Sequence, residues 1–138
     1  MNPFLTDLGV EVRSSELGRA SIALDLAARH MNPWQLTHGG VLMSLLDVVM
    51  ANAARSHLDE QKGVVTLEMK TSFLQAGGQT GQQLEARGVV LHQTATLFFC
   101  EAEVWLDDAL VAKASGSYKS FKMPQRTRQS NHTNESQS

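Results

Sequence analysis

Asn32-Pro33-Trp34-Gln35-Leu36-Thr37-His38-Gly39-Gly40, continued by the apolar run Val41 to Ala54 with the carboxylate Asp47 near its middle, is the stretch whose reading decides the fold. Asn32-Pro33 marks a loop, and Thr37 can cap a helix that follows it. Leu42, Leu45, Leu46, Val49 and Ala53 recur at helical spacing, and the helix is expected to run to about His57. Val41 and Val48 add apolar surface on other faces, so the helix should be enclosed on nearly every side. Ser44, Asp47 and Asn52 interrupt the run, which falls short of the roughly 20 residues that cross a bilayer. A carboxylate inside such a helix needs a partner or a task. Two glycines in a first helical turn cost about 1 kcal/mol each relative to alanine, which argues for a compensating use. Gly39 allows close approach to the backbone, and free N–H groups at a helix start can polarise a carbonyl oxygen as an oxyanion hole does.

Outward from this helix the pattern changes to period two. Upstream, Pro3 to Leu8 reads as a helical turn, Val10 to Arg13 as a strand, Gly18 as a turn, Ala20 to Leu26 as a second strand, and Ala28 to Leu36 as a loop. Downstream lie four long strand-like segments: Gly63 to Gln75, Gln82 to His92, Thr94 to Leu106 and Ala109 to Phe121. Turn signals at Ala76-Gly77-Gly78, His92-Gln93 and Asp107-Asp108 predict that the four form an antiparallel meander. The expected class is α+β, a curved antiparallel β-sheet wrapped around one long central helix. One sheet covers only one side of such a helix and leaves its edge strands unpaired, so pairing with a second copy is a physical expectation.

The 138 residues, 42% of them hydrophobic, suit one domain, taken as residues 1–122, followed by a polar tail over 123–138. Gln125 to Ser138 contains no apolar residue and is expected to be disordered. The net charge of −2, from 12 basic and 14 acidic residues, gives no support for nucleic-acid binding. The one cysteine, Cys100, lies in Leu97-Phe98-Phe99-Cys100 and reads as a small buried residue rather than a nucleophile. It cannot form an internal disulfide, and Met1 to Val10 lacks the pattern of a secretory signal, so a cytoplasmic location without membrane association is expected. The histidines His30, His38, His57, His92 and His132 show no His-x-x-x-His pair, and no Gly-x-Ser-x-Gly elbow occurs. Neither a metal nor a cofactor is expected.

Taken singly, the chemical residues have structural uses: Gly39-Gly40 as a tight turn, His38 as a surface residue, Asp47 as an acid bonded to neighbouring amides. Their spacing is more specific. With Asn32 six residues before His38 and Asp47 nine after it, the stretch resembles the phenylacetate-pathway (PaaI-like) branch of hotdog-fold acyl-CoA thioesterases. Asn2-Pro3-Phe4-Leu5 and Gly63-Val64-Val65-Thr66 also look like family features, and the likeness extends from Asn2 to Phe121. The resemblance implies hydrolysis of an acyl-CoA thioester, with Asp47 as general base or nucleophile and the Gly39 N–H polarising the carbonyl. It implies that Asn32 helps hold the thioester, that His38 supports the loop and the leaving-group side, and that Thr66 orients the water. On the residues alone, Thr66 reads equally well as a β-branched strand residue. The resemblance further implies a dimer whose site takes Asp47 and Thr66 from one chain and Asn32, His38 and Gly39 from the other, with dimers pairing into tetramers.

Two departures from the family pattern stand out. Gln35, beside the bulky Trp34, occupies a position three residues before the histidine where the family commonly has glycine. The turn expected near the CoA nucleotide reads His92-Gln93-Thr94-Ala95-Thr96-Leu97 and lacks the family's basic residue. Lys113, Lys119 and Lys122 are alternative phosphate contacts, or simply a solvated strand face. Trp34, Leu36, Met43, Leu46 and Met50 read either as an acyl pocket for aromatic or medium-chain groups or as core.

Two other activities fit the same fold. A non-catalytic acyl-CoA sensor would gain nothing from Asp47, and a hydratase or dehydratase generally has histidine five residues after its aspartate, where this chain has Asn52. The tail reading is tested by deleting residues 125–138. Melting temperature and turnover should be almost unchanged, and a large loss of either would show that the segment docks on the domain.

Overall fold

The structure, a computed structural model, describes residues 2–124. The tail from Gln125 to Ser138 lies outside the described residues. Helix α1 (Pro3–Leu8) starts where the Asn2 side chain accepts the Leu5 N–H at 3.0 Å and stops at Gly9, whose φ of 94° leaves the helical region. Strands β1 (Val10–Glu16) and β2 (Arg19–Asp25) form a hairpin around Leu17 and Gly18. A 3₁₀ turn over Ala28–His30 leads to the loop before helix α2 (Gly39–Arg55). Strands β3 (Lys62–Phe73), β4 (Gln83–Gln93), β5 (Leu97–Leu106) and β6 (Ala109–Lys122) complete one antiparallel sheet of order β1-β2-β4-β5-β6-β3.

The predicted four-strand meander is corrected: only β4, β5 and β6 follow one another, while β3 pairs with β6 at the far edge and β4 pairs with β2. Ala76-Gly77-Gly78 is not a hairpin turn. The Thr37 hydroxyl donates to the carbonyls of Gly77 at 2.7 Å and Gly78 at 3.0 Å, so the chain passes the start of α2 before entering β4. Gly77 must be small there, since a Cβ would lie 2.9 Å from the Thr37 Cβ.

The sheet accommodates α2 because its inner face is lined by small residues. Ala20, Gly88, Ala102, Ala114 and Thr71 stand in one register row across β2, β4, β5, β6 and β3. At the centre the approach reaches backbone contact, where a Cβ on Gly88 would lie 2.7 Å from the Val49 carbonyl oxygen. Leu42, Leu45, Leu46, Val49, Met50, Ala53 and Ala54 are buried on this seat. The expectation of a helix enclosed on nearly every side is not met within one chain: Met43 is exposed, and Asp47 and Val48 are half-buried. The edge strand β3 and the residue after it leave Val65, Leu67, Phe73 and Leu74 exposed as well. Among the described residues no helix is long and apolar enough to cross a membrane.

Gly88→Ala should destabilise the fold by about 1–3 kcal/mol, because the added methyl meets helix backbone rather than a side chain that can turn aside. Thermal melting should show a midpoint several degrees lower. An unchanged midpoint would mean that α2 does not rest on this row.

Candidate active site

The loop before α2 is organised by Asn32. Its Oδ1 accepts the N–H groups of Trp34 at 2.9 Å and Leu36 at 3.1 Å, an Asx-type turn closed by the Asn32 N–H donating to the Leu36 carbonyl at 2.7 Å. The Asn32 Nδ2 has no hydrogen-bond partner among the described residues. Gln35, the departure from the family glycine, has a φ of 61°. A side chain in that left-handed region costs about 1–2 kcal/mol, so the loop keeps a glycine-type conformation at some strain. The turn is tied down through His30, which is fully buried. Its Nδ1 accepts the Ala27 N–H at 2.9 Å, its Nε2 contacts the Leu8 carbonyl at 2.7 Å, and its own carbonyl accepts the His38 N–H at 2.8 Å.

His38, not Thr37, caps the helix. Its Nδ1 accepts the Gly40 N–H at 2.9 Å, while the Thr37 hydroxyl is already committed to Gly77 and Gly78. The Gly40 N–H is therefore occupied. The Gly39 N–H, at the first helical position, has no hydrogen-bond partner among the described residues and remains the donor available to a ligand. A Cβ on Gly39 would lie 3.7 Å from the Phe73 ring, which places an exposed aromatic beside this amide.

Two turns further along α2, the Asp47 carboxylate is gripped on one oxygen. Oδ1 accepts the Thr66 hydroxyl at 2.8 Å and the Tyr118 hydroxyl at 2.7 Å, while Oδ2 has no partner among the described residues. Thr66 reaches the helix because a register shift between Thr66 and Glu68 inserts Leu67 into β3. The bulge keeps Thr66, opposite inward Tyr118, on the helix side and Glu68 on the other face. Tyr118 was not singled out from the sequence. The available signal was its place as the only tyrosine of the chain, at the end of the alternating positions Ala112, Ala114 and Gly116 of β6. Burial first, then the hydrogen bond from Tyr118 to Asp47 and the Asp47 charge, push the phenol well above the ordinary tyrosine range, which leaves it a hydrogen-bond donor.

The two groups of residues do not meet within one chain. Gly39 and Asp47 are eight residues apart on one continuous helix, about 12 Å at a rise of roughly 1.5 Å per residue, too far for both to serve one carbonyl group. One chain thus carries two separate groups of polar residues: Asn32, His38 and Gly39 at the start of α2, and Asp47, Thr66 and Tyr118 at its middle.

Elsewhere, Thr94, Ala95 and Thr96 form the turn of the β4–β5 hairpin rather than the start of β5. The Thr94 hydroxyl accepts the Leu97 N–H at 3.0 Å, the Thr96 carbonyl accepts the Ser120 N–H at 2.8 Å, and the His92 ring stacks on Phe99. Gln93 ends β4 opposite Phe98. Lys119 pairs with Leu97 and stands beside this turn, whereas Lys113, opposite Glu103, is six residues down the strand. Leu46 and Met50 are fully buried core, while Trp34 and Met43 are exposed. Burial pushes the Cys100 thiol up to about 11, in keeping with a packing role. Among the described residues no three His, Cys, Asp or Glu side chains come together in a way that could hold a metal ion.

The chain is similar to thioesterases in both sequence and fold. The thioesterase superfamily model matches residues 35–113, from the loop before α2 into the start of β6. An esterase-like protein of Saccharolobus solfataricus is 31% identical over 112 residues, covering 80% of this chain and 78% of that protein. A conserved protein of Pseudomonas aeruginosa superposes with a TM-score of 0.83 at 31% identity, over 88% of this chain and 95% of that one. The PaaI protein of the E. coli phenylacetic acid degradation operon superposes with a TM-score of 0.81 at 25% identity, over 89% and 88%. The chain belongs to the thioesterase superfamily, as a PaaI-like thioester hydrolase of the hotdog fold.

Proposed function

We propose that the protein hydrolyses an acyl-CoA thioester to a free acid and CoA, with Asp47 as general base and the Gly39 N–H as oxyanion donor. The observation that carries this reading is the uneven bonding of Asp47: Oδ1 takes two hydroxyl donors and Oδ2 takes none among the described residues. A water on Oδ2 gives up a proton as its oxygen bonds to the thioester carbon. The carbonyl oxygen takes up negative charge toward the Gly39 N–H. The C–S bond then breaks, the carbonyl re-forms, and the proton passes to the departing thiolate, so that water is divided between acid and thiol. A thioester carbonyl is electrophilic enough for this without a metal.

The 12 Å scale of the separation between Gly39 and Asp47 supports a site shared by two chains, the amide from one and the carboxylate from the other. The open flank of α2 and the unpaired edge of β3 are the surfaces on which a second copy fits. Such dimers are expected to pair again into tetramers. His38 uses Nδ1 for the cap, which leaves Nε2 for the leaving-group side. The turn from His92 to Leu97, with Lys119 beside it, is the proposed contact for the CoA nucleotide. Exposed Trp34, Met43 and Phe73 suit an aromatic acyl group, a choice also favoured by the likeness to the protein of a phenylacetic acid operon. The buried, unpaired Cys100 fits work in the cytoplasm.

Asp47→Asn preserves an oxygen that can accept from Thr66 and Tyr118 but removes the base. Thiol release from a panel of acyl-CoAs should fall about a hundredfold or more, with binding of the CoA ester retained. Wild-type turnover in a folded Asp47→Asn protein would remove Asp47 from the mechanism. Enoyl hydration without thiol release in the wild type would replace hydrolysis with hydratase chemistry.

A further inference from the structure

We propose that Tyr118 is a positioning residue of the hydrolytic site: its hydroxyl holds Oδ1 of Asp47 so that Oδ2 alone faces the reacting water. This inference rests on the reading of Asp47 as the base. The two carboxylate oxygens of an aspartate are chemically equivalent, and rotation about its terminal torsion is broad, so nothing in the residue itself selects one of them. Selection has to come from the surroundings. The Tyr118 hydroxyl lies 2.7 Å from Oδ1 and 3.2 Å from the main-chain carbonyl oxygen of the same residue. One hydroxyl thus sits against both the side chain and the helix backbone of Asp47, which fixes the carboxylate relative to its own turn.

The two residues that bond Oδ1 differ in how firmly they are held. Thr66 is exposed and belongs to the edge strand β3, next to a bulge. Tyr118 is fully buried on β6, paired with Phe98 of β5 on one side and Thr66 on the other. Its ring packs over Gly116, where an added Cβ would come 3.0 Å from Cε1. The phenol is the fixed reference, and Thr66 the adjustable second donor. Because burial holds the phenol protonated, Tyr118 donates throughout the working pH range and takes no part in moving the proton.

A donor on Oδ1 favours the charged carboxylate. Removing it favours the protonated form, so the base is lost at a higher pH and the acid limb of kcat/KM moves up. Loss of alignment lowers kcat and leaves KM nearly as it was. A residue that only supported the fold would lower the melting temperature without moving the acid limb.

The experiment compares thiol release against pH for the wild type, Tyr118→Phe, Asp47→Asn and protein made with 3-fluorotyrosine. Since the chain has one tyrosine, the fluorinated amino acid replaces this position alone and makes its hydroxyl a stronger donor without removing it. Tyr118→Phe should lose about tenfold in kcat with KM within about twofold, and its acid limb should shift upward. The 3-fluorotyrosine protein should shift the acid limb downward, and it carries the test if Tyr118→Phe fails to fold. An acid limb that stays in place in the fluorinated protein, with Asp47→Asn inactive, overturns the role of Tyr118 and leaves Asp47 as the base. Wild-type turnover by Asp47→Asn overturns the reading of Asp47, and the inference about Tyr118 with it.

Discussion

Close contact between α2 and the inner face of the sheet is the constraint from which the rest follows. The row Ala20, Gly88, Ala102, Ala114 and Thr71 removes side-chain bulk where the helix lies, down to the Gly88 backbone against Val49. A larger residue in that row would lift the helix and open the packing around Leu45, Leu46, Val49 and Met50. The same seat sets the height of Asp47. Met50 packs onto Gly116, and one turn earlier Asp47 comes within hydrogen-bond reach of Tyr118 and Thr66. Core packing and the geometry of the carboxylate are therefore one problem, solved by small residues on β4, β5 and β6.

The beginning of the helix is set by a second, independent arrangement. Asn32 folds the loop, Thr37 anchors the β3–β4 connection through Gly77 and Gly78, and His38 takes the cap and occupies the Gly40 N–H. What remains among the described residues is one open N–H on Gly39, at the first helical position after a loop in which Gln35 takes a left-handed conformation despite its side chain. Each group is held by its own hydrogen bonds, and the two are kept apart by the length of the helix between them. In the dimer proposed above, a second copy would bring one chain's amide to the other chain's carboxylate and would cover the open flank of α2 and the free edge of β3.

Much of this was legible in the sequence. The helical spacing of Leu42, Leu45, Leu46, Val49 and Ala53 gave α2, and period-two patterns with intervening turn residues gave the strands to within a few residues. Strand neighbours were not legible, because alternation records which face is buried and not which strand lies alongside. Short turn signals alone therefore set β3 next to β4, whereas the connection crosses to the other side of the sheet and is held by the Thr37 hydroxyl. The same limit hid the bulge at Leu67, without which Thr66 and Glu68 would share a face, and hid Tyr118, which becomes a partner of Asp47 only through the pairing of β6 with β3. Thr37 and His38 both carry acceptors near the helix start, and only the tertiary contacts, which commit the Thr37 hydroxyl to Gly77 and Gly78, decide for His38 as the cap.

The shared site is tested most directly by mixing two variants that each damage a different half. Asp47→Asn removes the base. Gly39→Pro removes the open N–H at the first helical position, where proline is well tolerated, and the extended conformation of His38, φ −62° and ψ 136°, suits a residue before proline. Each variant alone should be inactive. In a mixed dimer one site carries both lesions and the other carries neither. With random exchange of subunits at equal concentration, about a quarter of wild-type thiol release should return, treating the sites as independent. Exchange demonstrated by mass spectrometry with no return of activity would contradict a site built from two chains.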